Sequence, residues 1–189
     1  FGQGILGITS ADRTFSIAKL FFAYGLGNAL YFPFSVGAST VLFPDKPDPK
    51  RVFEIVQRHR PTLFYAVPTA YAAMLAEMDA GTPFDFTGVR LCSSAGEPLA
   101  STLYDRWRAH TGVEILDGIG STEMLHTFIA NRAGRVRAGS SGEVVPGYDA
   151  RIVDGDGSDV PAGEIGDLLI KGGSACSCYW NKQEQTSKT

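Results

Sequence analysis

The chain has 189 residues, 44% of them hydrophobic and 20% charged, an ordinary balance for a globular protein able to bury a sizeable core. Its net charge of −3, with no long basic run, argues against nucleic acid as a partner. The apolar stretch from Ile17 to Val41 is broken by Lys19, Asn28, Pro33 and several glycines, too interrupted for a membrane span, and the N-terminus lacks the basic start of a signal peptide.

Residues 15–31 read as a helix start followed by a glycine-punctuated turn, Tyr24-Gly25-Leu26-Gly27-Asn28. Residues 37–43 read as a strand. Asp48 suits an N-cap and Pro49 the first helical position, and Val52, Ile55, Val56 and His59 then recur at helical spacing until Pro61 stops the helix. Residues 62–67 form a continuous apolar run with aromatics, a buried strand. Pro68 and Thr69 open a helix that runs through Tyr71, Met74, Leu75 and Met78. A short strand at 89–93, a helix at 98–110 with Leu99, Leu103 and Trp107 on one face, and a strand at 113–116 follow. The alternation predicts an α/β fold, a parallel βαβ sheet with helices on both faces.

After about residue 137 the pattern changes. Residues 142–145, 149–153 and 164–170 are strand-like and joined by turns such as Asp154-Gly155-Asp156-Gly157, which predicts antiparallel β structure appended to the α/β part. The expected division is therefore a partial α/β nucleotide- and acyl-binding subdomain at 1–137 and a partial β-rich subdomain at 138–189. The cysteines, Cys92, Cys176 and Cys178, are odd in number and have no framework spacing, which predicts a reducing, cytoplasmic setting. Cys176-Ser177-Cys178 has no second ligand pair, so a zinc site is not expected. His59 and His110 fall on helix patterns and carry no expected chemistry.

Three strand ends concentrate glycine and hydroxyl residues: Val67-Pro68-Thr69, then 93–98, then Asp117-Gly118-Ile119-Gly120-Ser121-Thr122-Glu123, which continues through Met124 and Leu125 to His126. Taken alone, the last segment has two readings. One is a strand-to-helix turn with a hydroxyl cap and an acidic first turn. The other is a nucleotide-phosphate and Mg²⁺ site, which needs close backbone approach, hydroxyls and a carboxylate. In a parallel α/β sheet, ligands bind beyond the carboxyl ends of the strands, so three such loops on neighbouring strands would line a single cleft.

Four segments occur in order: Tyr65-Ala66-Val67-Pro68-Thr69, Ser94-Ala95-Gly96-Glu97-Pro98-Leu99, Asp117 through Glu123, and Gly163-Glu164-Ile165-Gly166-Asp167-Leu168-Leu169-Ile170-Lys171-Gly172. Their order and spacing resemble the acyl-adenylate-forming superfamily of acyl-CoA synthetases, adenylation domains and luciferases. Residues 22–28, the run to His126 and Cys178-Tyr179-Trp180-Asn181 look most like its benzoate- and 4-hydroxybenzoate-CoA ligase branch. The resemblance implies an ATP-dependent acid–thiol ligase whose partners are a small aryl carboxylate, ATP and CoA, with Mg²⁺ as cofactor.

By that resemblance, Ala95, Gly96, Glu97 and Pro98 lie on one side of an adenine slot and Asp117, Gly118 and Ile119 on the other, with Gly120 and Ser121 beside the nucleotide. Thr122 contacts the α-phosphate and Glu123 is the metal-associated acid. Ala23, Tyr24, Gly25, Gly120 and His126 line the aryl pocket. Thr127, next to His126, is expected at its edge, where a hydroxyl would serve a ring-hydroxylated acid. Tyr24, His126 and Glu97 also have plain readings, as a core aromatic, a satisfied histidine and a helix-start carboxylate. The phosphate loop expected upstream and the lysine-bearing C-terminal domain expected downstream do not appear. The segment thus resembles the central part of a larger N-terminal domain, and on its own it is expected to be inactive. Two other readings remain open here: another adenylate-forming branch that loads a carrier protein or a different acyl group, and a non-catalytic nucleotide-binding segment.

Overall fold

The computed structural model describes residues 1–188. Seven strands form one sheet in the order β2-β1-β3-β4-β5-β6-β7, and two more form a separate hairpin. The parallel part is β2 (Ser39–Val41), β1 (Arg13–Ser16), β3 (Leu63–Ala66), β4 (Leu91–Ser94) and β5 (Ile115–Gly120). β6 (Thr127–Ala130) returns antiparallel to β5, and β7 (Glu143–Val144) pairs antiparallel with β6. β8 (Tyr148–Val153) and β9 (Asp167–Gly172) make the antiparallel hairpin.

Side chains of the central strands alternate between two cores, as the period of a strand requires. Phe15, Phe64, Cys92 and Ile115 lie side by side in register and point toward the long helices α3 (Pro49–His59), α4 (Pro68–Asp79) and α5 (Ser101–Thr111). Trp107 of α5 is fully buried there, edge-on to Tyr71 at 4.7 Å and to Phe86 at 5.0 Å. Leu63, Tyr65, Leu91 and Leu116 point the other way, onto Ile5, Leu6, Ile8, Tyr24 and Phe32. That second face is covered by the N-terminal segment and a short helical run, α1 (Ala23–Leu26), a π-helical stretch Gly27–Tyr31 and α2 (Phe32–Ser35), not by long helices.

α3 begins as the sequence predicts: Pro49 is its first residue, and the Asp48 carboxylate accepts from the Arg51 amide at 3.1 Å. It ends at Arg60, which takes the left-handed conformation (φ 49°) just before Pro61.

Four expectations need correction. The helix predicted from Phe15 is strand β1, because a strand held between β2 and β3 buries Thr14, Phe15 and Ser16 on both faces and shows no alternation. The glycine-rich stretch after it is helical and not a turn. α5 starts at Ser101, not at 98, because the loop before it stays extended and spends its carboxylate on the neighbouring helix (below). Residues 143–144, predicted to belong to the appended structure, hydrogen-bond into the main sheet as its edge, although they lie beyond residue 137. Among the described residues no helix is long and apolar enough to cross a membrane.

One side chain ties the N-terminal segment to the sheet. The Arg90 guanidinium, just before β4, grips the Asp12 carboxylate at 2.9 and 3.0 Å and donates to the carbonyls of Leu6 and Gly7 at 3.1 Å. Asp12 is 6% exposed, and the Arg90 and Thr62 hydrogen bonds overcome the cost of its burial and hold its carboxyl far below the usual range. Its contribution is complete above the unfolded carboxyl value of about 3.9 and fades as the pH falls toward the folded one. Arg90→Met leaves that carboxylate buried without its partner. It is expected to cost about 2–3 kcal/mol at pH 7 in urea denaturation, and an unchanged midpoint would contradict the clamp.

Candidate active site

The carboxyl ends of β3, β4 and β5 all open on one side of the sheet. The loop after β4 carries Ala95-Gly96-Glu97-Pro98. Its Glu97 carboxylate crosses to α4 and accepts from the Thr69 amide and hydroxyl, both at 3.2 Å. α4 has no capping side chain of its own, so Glu97 supplies the acceptor its first turn lacks. Glu97 thereby fixes the loop against α4.

β5 extends through Gly120, so the glycine motif is strand, followed by a loop at 121–126 and the return strand β6. A helix does not follow, and the strand-to-helix reading is set aside. The glycines answer first to that return. A Cβ on Gly118 would meet Ile129 O at 2.6 Å, and one on Gly120 would meet His126 O at 2.5 Å. Glycine lets β6 cross this closely, and both residues border the cleft. In the loop, the Ser121 hydroxyl accepts from the Met124 amide at 3.2 Å, a local turn bond, while Leu125 takes a left-handed φ of 71°.

Two cavities meet at these glycines. The first, of about 190 Å³, is lined by Phe22, Ala23, Tyr24, Ala95, Gly96, Gly120, Ser121, Thr122, His126 and Thr127. The second, of about 250 Å³, is lined by Gly96, Glu97, Pro98, Gly118, Ile119, Gly120 and Ser141. Gly96 and Gly120 border both, so the two cavities adjoin at these glycines. Tyr24 is pinned by its hydroxyl, which donates to Ser93 Oγ at 3.2 Å. His126 packs against Tyr24 with ring centroids 5.4 Å apart, its Nε2 lies 3.2 Å from Tyr24 O and its Nδ1 2.9 Å from Thr127 Oγ1. Burial drives its pKa down to about 4, against a weaker upward pull from the Tyr24 carbonyl, so the wall it forms is uncharged at neutral pH. No Asp, Glu, Lys or Arg lines the first cavity, which suits a flat neutral ring.

Three predicted residues lie elsewhere. Gly25 lines neither cavity: its missing Cβ makes room for the backbone carbonyls of Ala18 and Lys19. Asp117 is buried beneath the cleft at 4% exposure. Its Oδ1 and the neighbouring Ser94 Oγ make no hydrogen bond of good geometry, and burial pushes its carboxyl up to about 6 against the pull of the Ser94 hydroxyl and the Leu99 and Gly118 amides. Glu123 faces a third cavity, of about 170 Å³, with Met124, Ala175, Cys176, Ser177, Cys178 and Tyr179 among its walls. Its Oε1 accepts from the Tyr179 hydroxyl at 2.8 Å, the main cause of its lowered pKa, and its backbone carbonyl accepts from the Cys176 amide at 2.7 Å.

Sequence reasoning missed four contributors. Phe22 and Ser141 line the cavities, Tyr179 holds Glu123, and Gly27 lies where a Cβ would overlap the His126 ring. Gly27 left a local signal in the Gly25-Leu26-Gly27 punctuation, and Phe22 and Tyr179 lie within the two segments, 22–28 and 178–181, that carried the family resemblance. The approach of those segments to the site, and that of Ser141, is set by the tertiary fold.

The sequence pattern of the family described as AMP-binding enzyme matches residues 2–180. Over its full length the chain is 52% identical to a benzoate–CoA ligase of Thauera aromatica, and over 97% of its length it is 47% identical to a 4-hydroxybenzoate–CoA/benzoate–CoA ligase of Rhodopseudomonas palustris. It spans 36% and 34% of those two proteins, about a third of their length. Among solved structures, all of the chain superposes on a benzoate CoA ligase from Burkholderia xenovorans LB400 with TM-score 0.96 and 51% identity, covering 38% of that chain. It likewise superposes on the anthranilate CoA ligase AuaEII in complex with anthranoyl-AMP with TM-score 0.97 and 47% identity, covering 37% of that chain.

Two pH effects follow from this geometry. Because Asp117 has a folded value of about 6, above its unfolded value near 3.9, its contribution to stability is complete below the unfolded value and is lost as the pH rises through the folded one. Asp117→Asn should therefore gain about 2 kcal/mol over the parent between pH 4 and pH 7, and parallel stability curves would contradict the buried carboxyl. Tyr179→Phe should move the Glu123 carboxyl up toward the ordinary range, read by carbon-13 NMR titration, and an unmoved midpoint would show that Tyr179 does not hold it.

Proposed function

The chain belongs to the AMP-binding enzyme family, and on that premise we propose that it is the nucleotide- and acyl-binding part of an ATP-dependent aryl-CoA ligase. The observation that carries this reading is the pair of cavities joined at Gly96 and Gly120. An uncharged aromatic chamber adjoins a second slot walled by the Gly96–Pro98 loop and the Gly118–Gly120 strand. An aryl ring in the first and an adenine in the second bring the carboxyl and the α-phosphate to the shared glycines.

In the proposed reaction, a carboxylate oxygen of the aryl acid attacks the α-phosphorus of ATP and pyrophosphate leaves. The CoA thiol then attacks the acyl carbon and AMP departs. This chain's part is to hold and orient. Ala23, Tyr24, Gly120 and His126 enclose the ring. Backbone at 118–120 and the 95–98 loop sandwich the base. The exposed Thr122 hydroxyl, at the mouth of the ring chamber, is positioned as a donor to the α-phosphate. Glu123 is the one acidic side chain of the loop, and among the described residues no group of three His, Cys, Asp or Glu side chains gathers to hold a metal. Mg²⁺ commonly takes one or two carboxylates and completes its shell with substrate phosphates and water, so Glu123 would hold it there once its carboxylate turned from Tyr179 and the third cavity toward the phosphates. When bound, the ion offsets the charge of the departing pyrophosphate. The three cysteines are free, which suits a reducing, cytoplasmic setting.

The direct test is aryl-acid-dependent ATP–pyrophosphate exchange, on a polypeptide of its relatives' length that carries this chain. Benzoate and 4-hydroxybenzoate should both support exchange and acetate should not. Exchange indifferent to the aryl acid would overturn the reading. Thr127→Ile should shift the ratio of the two aryl rates toward benzoate by roughly tenfold, the loss of one hydrogen bond to a ring hydroxyl.

A further inference from the structure

His126 is 6% exposed and lies among rings, with centroid distances of 4.6 Å to Phe32, 5.4 Å to Tyr24 and 6.4 Å to Tyr31. On the helical side a Cβ at Gly27 would stand 2.8 Å from Nε2, so the imidazole has no room to drift that way. Each nitrogen faces one oxygen, Nε2 the Tyr24 carbonyl at 3.2 Å and Nδ1 the Thr127 hydroxyl at 2.9 Å.

The two oxygens are not equivalent. A backbone carbonyl only accepts, so Nε2 must carry a proton. Burial among aromatic rings opposes an imidazolium, so Nδ1 is bare and must accept. The Thr127 hydroxyl is then the donor, and its single proton is committed. A half-turn of the ring would set carbons against both oxygens and leave the hydroxyl of Thr127, a residue 3% exposed, without its partner.

We propose that Thr127 is a positioning residue that locks His126 as the Nε2–H tautomer in one ring orientation, so that this wall of the first cavity offers a ligand no hydrogen-bond donor. Neither imidazole nitrogen is free for a ligand. Thr127 Oγ1 keeps only lone pairs, so a ring substituent that reaches it has to be a donor such as a hydroxyl or amino group, and an acceptor-only substituent such as fluoro or methoxy finds no partner. The tautomer lock stands on these contacts alone; its consequence for substituents rests on the aryl-ligand reading above.

The test is a long-range proton–nitrogen NMR spectrum of the chain labelled with nitrogen-15 histidine. The parent should show His126 as a single Nε2–H tautomer, with its Nδ1 resonance displaced upfield by the donated hydrogen bond. Thr127→Val, of nearly the same shape, should move Nδ1 downfield and weaken binding of benzoyl-adenylate by about tenfold, and Thr127→Ser should restore both. An Nδ1–H tautomer in the parent, or an unmoved Nδ1 resonance in the Val variant, overturns the proposal. The parent spectrum decides the tautomer even where the Val variant fails to fold. A parent that shows the expected spectrum but, within a polypeptide of its relatives' length, fails to bind benzoyl-adenylate overturns the aryl-ligand reading and leaves the tautomer lock in place.

Discussion

The close return of β6 along β5 is the contact on which the rest of the site depends. With Ile129 O at 2.6 Å and His126 O at 2.5 Å from where Cβ atoms would stand, Gly118 and Gly120 admit no side chain. That return turns a parallel sheet back on itself at the edge that carries the two cavities. It sets the loop at 121–126 over the strand ends, brings His126 against Tyr24, and leaves both glycines bordering the cleft. Gly142 repeats the device one strand further on: it adopts a positive φ of 98°, and a Cβ there would collide with the backbone of Ala130 and Asn131. A single alanine at Gly118 or Gly120 would therefore displace the return strand before it crowded any ligand.

Charge is kept out of the ring chamber and placed around it. His126 stays neutral through burial, and Asp117, buried beneath the cleft, has its carboxyl pushed up to about 6. Glu97 is spent on the first turn of α4, and Glu123 is turned to a separate cavity and held by Tyr179. What the chamber's walls offer is therefore shape and a few hydrogen-bonding atoms, without a charged side chain.

Elements governed by local chemistry were legible in the sequence. The Asp48–Pro49 start of α3, the buried run of β3 and the helical spacing of Tyr71, Met74, Leu75 and Met78 all appear where the residues place them. What the sequence hid was set by distant partners. Phe15 reads as helical until two neighbouring strands bury both of its faces. The start of α5 depends on a carboxylate that reaches across to Thr69, and β7 on a strand that needs an edge. The site followed the same rule. The glycine motif was recognisable, but its physical reason, a strand crossing, was not, and Gly25 turned out to serve the Lys19 backbone. Tyr179 reaches Glu123 across 56 positions of chain, a distance at which no periodicity speaks.

The central claim is that the two cavities joined at Gly96 and Gly120 act as one binding site. Amide chemical-shift mapping of the chain during titration with benzoyl-adenylate tests it most directly. The account predicts saturable shifts at Ala23, Gly96, Gly118, Gly120, Thr122 and His126, with α3 and the β8–β9 hairpin unmoved. Shifts confined to α3 and α4, or none at saturating ligand, would contradict it.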